Sequence, residues 1–262
     1  MNLDLGGKRA LVCGGSKGIG RAAAAELALL GASVTVLARS EDALKEVVAD
    51  LDAQAGQTHS YIVADSVDTE EVEWKVKQSI ASQGIIHILV NNSGGPPAGA
   101  AIEASTHDYA AIFTQHMLFG QVLAQAVVPG MREAKYGRII NVLSTSVKQP
   151  VRGLGVSNTI RGAVAQWAKT LAGELGGFGI TVNNILPGAT DTGRMKEIIA
   201  GKAKKSGRTE DEVKAEEIAA IPAGRFGNPD ELGAAIAFLA SPAAAYINGI
   251  NLPVDGGRTS GL

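Results

Sequence analysis

A short strand-forming run, a glycine loop and a run of strong helix formers follow one another without a break, and this succession constrains the chain more than any other feature. The run is Arg9 to Cys13 (RALVC), the loop is Gly14-Gly15-Ser16-Lys17-Gly18-Ile19-Gly20, and the helical segment is Arg21 to Leu30 (RAAAAELALL), stopped by Gly31. A strand-helix unit of this kind cannot bury its apolar faces alone, so it needs further units beside it. The chain supplies them. Ser33 to Ala38 (SVTVLA) is a second strand, followed by a helix initiated at Ser40 and running from Glu41 to Gln54, with acidic residues where the helix dipole favours them. Further strands are expected at Ser60 to Ala64, Ile85 to Val90, Arg138 to Leu143, Ile180 to Leu186 and Ile250 to Val254. Helices centre on 70–82, 106–132 and 153–176, and Asn228-Pro229-Asp230-Glu231 opens a late one, with Asn as cap and Pro in the first turn.

Strands alternating with helices pair in parallel through right-handed crossovers, which covers both faces of the sheet. The expectation is therefore one α/β domain over residues 1–262, a doubly wound, Rossmann-like, mostly parallel sheet of about seven strands with helices on both faces. A closed eight-stranded barrel is the competing architecture at this length, and the glycine loop after the first strand counts against it. A chain of 262 residues can bury about 75% of its unfolded surface, so core size sets no limit. No linker, repeat or low-complexity tract divides it. The charged stretch from Thr192 to Phe226 reads as a solvated helical excursion, and residues 190–226 are compatible with a mobile cover over a site.

Composition removes several function classes. Lys plus Arg number 24 against 26 Asp plus Glu, and a net charge of -2 offers no long-range attraction for nucleic acid or an anionic membrane. Aromatics at 4% are too few for a base-stacking platform. The single Cys13 excludes an intrachain disulfide and a multi-thiolate metal site, so no metal is expected. The start, MNLDLGGKRA, lacks the apolar segment of a signal peptide, and apolar runs elsewhere are broken well before 18 residues; the expectation is a soluble cytoplasmic protein.

In a doubly wound sheet, ligands sit beyond the carboxyl ends of the strands, and four such ends are rich in candidates. After the first strand, Gly14, Gly18 and Gly20 let backbone approach a pyrophosphate at a helix N-terminus, with Ser16, Lys17 and Ile19 between them. The spacing G-x-x-x-G-x-G differs from the more general dinucleotide fingerprint, and its weight comes from the strand before it and the helix after it. After the second strand stands Arg39, followed by Ser40, where an NAD-binding chain would place an acid for the ribose 2′-hydroxyl. A guanidinium binds a 2′-phosphate instead, and Lys17 adds a second cation, so NADP(H) is the expected cofactor. Asn91-Asn92-Ser93-Gly94-Gly95 follows the fourth strand, Ser144-Thr145-Ser146 the fifth, and Pro187-Gly188 the sixth, with Thr190 and Thr192 beyond. Ser157 and Arg161 lie four residues apart on the next helix, on one face. Val156, Ile160, Val164, Trp167, Leu171 and Leu175 form its packing stripe.

These features together resemble the short-chain dehydrogenase/reductase family, in particular its 3-oxoacyl-(acyl-carrier-protein) reductase-like members, over nearly the whole chain from RALVCGGSKGIG to NLPVDGG. The resemblance implies an adenine-side position for Asp65 with Ser66 beside it, a cofactor-loop role for Asn91 beside Ser93 and Gly94, and a nicotinamide contact for Thr192. It also implies that Cys13 stands where the family usually has Thr. The family's Tyr-x-x-x-Lys positions here read Ser157-Asn158-Thr159-Ile160-Arg161, and the helix Asn that holds a relay water falls on His116; Ser144 alone matches. An alkanol hydroxyl is far less acidic than a phenol, and a guanidinium does not release its proton.

Ser144, Ser157, Arg161 and His116 are therefore the candidate catalytic residues, and three readings stay open. One is an NADPH-dependent reductase acting on a conjugated enone, with Ser144, Ser157 and Arg161 stabilising the enolate. Another is ordinary carbonyl reduction with His116 supplying the proton, since imidazole titrates near neutrality. The alternative to both is a catalytically impaired NADP(H)-binding protein acting as a sensor or assembly subunit. Tyr109 is a phenol that could approach from a loop. Partners are a small-molecule substrate and further copies of the chain: the resemblance implies a dimer or a homotetramer, and the long helices carry apolar outer positions that suit one.

Overall fold

A computed structural model describes residues 1–96 and 98–261. In chain order its main elements are β1 (Arg9–Cys13), α1 (Gly18–Leu29), β2 (Ser33–Ala38), α2 (Glu41–Asp50), β3 (Ser60–Val63), α3 (Thr69–Gln83), β4 (Ile88–Asn91), α4 (Thr106–Phe113) and α5 (Phe119–Ala134). They continue with β5 (Gly137–Val142), α6 (Gly155–Leu175), β6 (Ile180–Pro187), α7 (Gly193–Ser206), α8 (Glu210–Ala219), α9 (Pro229–Ala240) and β7 (Asn251–Val254). The strands form one seven-stranded sheet in the order β3-β2-β1-β4-β5-β6-β7. Every pairing is parallel. The order reverses between β1 and β4, and that switch point opens a crevice beyond the strands' carboxyl ends.

The two-residue period of each strand divides its side chains between two cores. Ala10 and Val12 of β1, Ile88 and Val90 of β4 and Ile140 of β5 pack on the face covered by α1 and α9, with Leu27 and Ile236. Leu11, Cys13, Leu89 and Ile139 point the other way, against Val76 of α3, Phe119, Leu123 and Met131 of α5 and Ala168 of α6. Both clusters are apolar and buried, so the central strands, covered on both faces, read as continuous apolar runs.

Several boundaries move for local reasons. The helix expected through Gln54 ends at Asp50, because the Asp52 carboxylate accepts from the Gln54 N–H at 2.8 Å and turns the chain away. The strand expected from Ile85 begins at Ile88. The single helix expected over 106–132 is interrupted by a π-helical turn, Thr114–Leu118, which carries His116. A wider turn of this kind displaces the side chains that follow it and is common where a helix meets a functional site. By length and composition Thr106–Ala134 could cross a membrane. Its α5 half buries Phe119, Leu123, Val127 and Met131 against the sheet.

Asn228 caps α9 with Pro229 at the helix start, as its sequence demands. The 190–226 stretch forms α7 and α8, which share a small core of Ile199, Ala203 and Val213.

Candidate active site

The glycine loop after β1 is closed to side chains. A Cβ on Gly20 would lie 2.2 Å from the Gly14 carbonyl oxygen, and one on Gly14 would lie 2.6 Å from Asn92 Nδ2. Gly14 and Gly18 also hold φ of +57° and +55°, the left-handed region that a Cβ disfavours. Lys17 occupies the cap position of α1, and its side chain makes no cap hydrogen bond. The first-turn N–H groups thus lack a side-chain cap of the usual kind. Thr192, at the start of α7, closes the opposite side: its methyl group would sit 3.3 Å from a Cβ on Gly18. Its hydroxyl accepts from the Met195 N–H at 3.4 Å. Ser16 and Ile19 line the loop between these glycines, each half-buried.

One expectation is corrected here. Asn91 does not brace the glycine loop; Asn92 does, donating from Nδ2 to the carbonyls of Cys13 at 3.2 Å and Gly14 at 3.3 Å. Asn91 instead begins an amide ladder across the sheet, donating to Asn141, which donates to Asn184, which donates to Asn251, at 2.8, 2.8 and 2.7 Å. The ladder exists because these four asparagines are register partners on β4, β5, β6 and β7. Cys13 is fully buried and its thiol is pushed far up by desolvation, so it is inert.

Arg39 projects from the end of β2 with 79% of its side chain exposed, its guanidinium 3.8 Å from the Asp65 carboxylate after β3. An exposed pair at that distance is weak, worth about 0–1 kcal/mol, and yields to a stronger anion. Ser40 precedes α2 and is exposed, while Ser66 is half-buried beside Asp65. At the end of β6, the Gly188 N–H donates to the Val254 carbonyl at 3.0 Å. A Cβ on Gly188 would strike Asp255 at 2.6 Å, so the terminal Asp255-Gly256-Gly257 segment braces the Pro187-Gly188 turn. Thr190 Oγ1 donates to the Gly188 carbonyl at 3.2 Å within the same turn.

The other wall is made by β5, α6 and the π-helical turn. Ser144 follows β5, its Oγ accepting from the Ser146 N–H at 3.1 Å. Ser157 and Arg161 are buried on α6, 5% and 7% exposed, and Arg161 Nε donates to Ser157 Oγ at 3.3 Å. Arg161 Nη1 donates to the Val142 carbonyl at 3.2 Å. Burial, and then the Arg194 charge, lower the Arg161 pKa to about 10, so it stays a cation at neutral pH. His116 Nδ1 lies 2.8 Å from Ser93 Oγ, and Gly94 follows in the same loop.

His116 does not titrate near neutrality. Desolvation first and the Arg161 charge second, opposed by the Gly94 backbone, lower its pKa to about 3. It is a neutral imidazole across the physiological range. His116 Nε2 and Asn91 Oδ1 are buried without hydrogen-bond partners among the described residues. Both belong to residues lining a small cavity with Ser93, Asn141 and Val142.

Three of the four tyrosines are bonded elsewhere or exposed. Tyr61 donates to Glu41, Tyr136 donates to the Ala240 carbonyl, and Tyr246 is wholly exposed. Tyr109 lies within α4 rather than in a loop, packed against the cluster of Leu143, Val156 and Ile160. Among the described residues, no tyrosine hydroxyl is hydrogen-bonded to Ser144, Ser157, Arg161 or His116.

Two contributors escaped the sequence reading. Asn92 was hidden beside Asn91, and a strand-end pair of asparagines gives no local signal of which one turns toward the loop. Arg194 donates from Nη2 to the Pro96 carbonyl at 3.0 Å, tying α7 to the loop after β4. Nothing in its neighbourhood in sequence marks that reach of 98 residues.

A crevice at a parallel-sheet switch point, floored by a side-chain-free glycine cradle, is the geometry of a dinucleotide site. The family model described as enoyl-(acyl carrier protein) reductase matches residues 14–259. The chain belongs to the short-chain dehydrogenase/reductase family. It is 34% identical over 259 residues to the 3-oxoacyl-[acyl-carrier-protein] reductase FabG of Vibrio harveyi, covering 98% of both chains. Among solved structures of the family, L-sorbose reductase from Gluconobacter frateurii, complexed with NADPH and L-sorbose, superposes with a TM-score of 0.93 at 31% identity, each chain fully covered. YwfH, an NADPH-dependent reductase involved in bacilysin biosynthesis, superposes with a TM-score of 0.92 at 26% identity, covering 97% of this chain and 99% of that one. Family membership makes the chain an oxidoreductase.

Proposed function

We propose that the chain is an NADP(H)-dependent reductase of small carbonyl or conjugated-enone compounds, working with an atypical active site, and that conjugated enones are its better substrates. The glycine cradle fits a dinucleotide, because at Gly14 and Gly20 any side chain would collide with the loop's own backbone or its Asn92 brace. In this reading Gly14, Ser16, Gly18, Ile19 and Gly20 hold the pyrophosphate, Arg39, Ser40 and Lys17 the 2′-phosphate, and Asp65 and Ser66 the adenine side. Asn91, Ser93, Gly94, Pro187, Gly188, Thr190, Thr192 and Arg161 surround the nicotinamide end. NADPH supplies a hydride when bound.

One observation carries the preference for an enone: Ser157 and Arg161 form a buried, hydrogen-bonded, cationic pair, with no phenol among the described residues bonded to them and a neighbouring histidine held neutral. Such a pair holds negative charge well and delivers protons poorly. Ketone reduction places negative charge on an alkoxide, far more basic than an enolate, and so needs a positioned acid. Hydride addition to the β-carbon of an enone makes an enolate oxygen instead. Arg161, Ser157 and Ser144 stabilise that oxygen by fixed hydrogen bonds, and solvent then protonates the α-carbon. Reduction of a ketone through His116 is disfavoured by the depressed imidazole.

The same reading makes α7 and α8 a cover over the crevice and joins copies of the chain through the exposed Phe113 and Leu118 of the long helical arm.

The test is reduction of paired ketones and enones with NADPH deuterated at its transferable position. Deuterium at the β-carbon is the expected result. Deuterium at a carbonyl carbon with kcat/KM equal to or above that of the enones overturns the preference, and tight NADPH binding with no transfer to any compound overturns the catalytic reading.

A further inference from the structure

Arg161 is a buried cation without a counter-charge among the described residues. Its hydrogen bonds go to a serine hydroxyl and a backbone carbonyl, both neutral, through Nε and Nη1, and Nη2 has no partner among the described residues. The one charge that shifts it is a second cation, Arg194. Neutral His116 is the third titratable group here, and its own pKa is pushed down by Arg161. A guanidinium out of water with no carboxylate beside it is costly, and folds keep such a group where an anion completes it. A nicotinamide ribose, being neutral, leaves the charge uncompensated.

Arg194 sits on the open side of the same region. It is exposed, pairs with Glu197 at 3.3 Å within its own helix, and donates to the Pro96 carbonyl at 3.0 Å. Its Nε would lie 3.4 Å from a Cβ on Gly95, two residues after the serine that bonds His116. The exposed pair with Glu197 is easily exchanged for a ligand. A planar fork at the mouth and a second guanidinium in the depth suit a carboxylate, while a neutral substrate leaves the outer fork without a partner of its own.

The geometry points to a substrate that is itself a carboxylic acid, with its carboxylate recognised by Arg194 at the mouth and its charge balanced by the buried Arg161 beneath. This assignment rests on the reductase reading above and narrows its substrate class to small carbonyl or enone acids. Arg194 is then the specificity-determining residue, and its place on α7 couples recognition of the acid to the position of the cover.

The experiment compares 3-benzoylacrylate, an enone acid, with its methyl ester, and measures benzoate binding to the NADPH-loaded protein by calorimetry. The expected results are a kcat/KM for the acid at least about tenfold above that for the ester, and an Arg194→Gln variant that loses about tenfold on the acid, mostly in KM, with little change on the ester. Arg194→Lys recovers part of the loss. Benzoate affinity falls in parallel. Equal use of acid and ester, or an Arg194→Gln variant that lowers both alike, overturns the inference and leaves the reductase reading standing, Arg194 then being only the tie to Pro96. Benzoate binding that depends on Arg194, with no reduction of either compound, keeps the anion site and defeats the enone reaction. Failure of benzoate to bind defeats the anion site.

Discussion

The two walls of the crevice obey different physics. The glycine-loop wall is built from backbone: its close contacts are between Gly14, Gly20 and Asn92, and its function is to leave room. The α6 wall is built from side chains, Ser157, Arg161 and His116, each buried, with burial and then the Arg161 charge lowering the His116 pKa and burial and then Arg194 lowering that of Arg161. The first wall tolerates no added atom. The second is sensitive to charge. A dinucleotide site demands shape, whereas hydride acceptance by a substrate demands a field.

The sharpest break of that contrast is at the loop. Gly20→Ala places a methyl 2.2 Å from the Gly14 oxygen, so NADPH affinity measured by fluorescence titration should fall by more than about 100-fold, with circular dichroism reporting whether the sheet survives. Retained affinity would mean that the loop is not the cradle. On the other wall, Arg161→Met should lower kcat/KM by about 10³-fold, on the order of 4 kcal/mol of transition-state stabilisation, while NADPH affinity changes by less than about tenfold. Equal losses in both quantities would assign Arg161 to the cofactor alone.

Smaller effects sharpen the picture. Arg39→Asp should weaken NADPH about 100-fold more than NADH, because it replaces a phosphate partner with a like charge. Equal weakening would remove the 2′-phosphate assignment. Ser157→Tyr combined with Arg161→Lys should raise ketone reduction by about tenfold or more if a missing phenol is the limitation, and no rise would place the limit in pocket shape.

The smallest effect is a pH dependence. The His116 pKa is lowered in the fold to about 3 from an ordinary value near 6.5, so the native state binds fewer protons than the unfolded one between those limits. Stability is therefore fully present above about pH 6.5 and declines on acidification, by up to about 1.4 kcal/mol per pH unit from this group. His116→Gln should flatten that decline in denaturant titrations between about pH 6 and 4, and kcat should show no limb near 6.5. A kcat limb at that pH that disappears in the variant would return His116 to the role of acid.

Much of the backbone-built wall was legible in the sequence. Strand propensity, glycine spacing and helix formers are local properties, so β1 and β2 were read at their observed bounds, whereas α1 begins at Gly18, inside the loop expected to run through Gly20. Where the reading slipped, a longer-range contact decided. Asn91 and Asn92 are indistinguishable in sequence, and their division between the sheet ladder and the loop brace follows from strand register and pleat. The π-helical turn at His116 has no signature in propensity, and its Thr114–Leu118 segment lies between α4 and α5 and packs against α6. Arg194 reaches the Pro96 carbonyl only because the fold brings the start of α7 beside the loop after β4.

Taken by itself, the sequence determined a doubly wound sheet, a dinucleotide loop and the juxtaposition of Ser157 and Arg161 on one helix face, because periods of two and 3.6 and the glycine requirements of tight turns are written residue by residue. The tertiary structure alone decided that His116 is neutral, that Arg161 faces another cation rather than an acid, and which asparagine holds the loop. Those are properties of burial and of charges brought together from distant parts of the chain, and an ionisable side chain acquires them only when the fold removes its water and selects its neighbours.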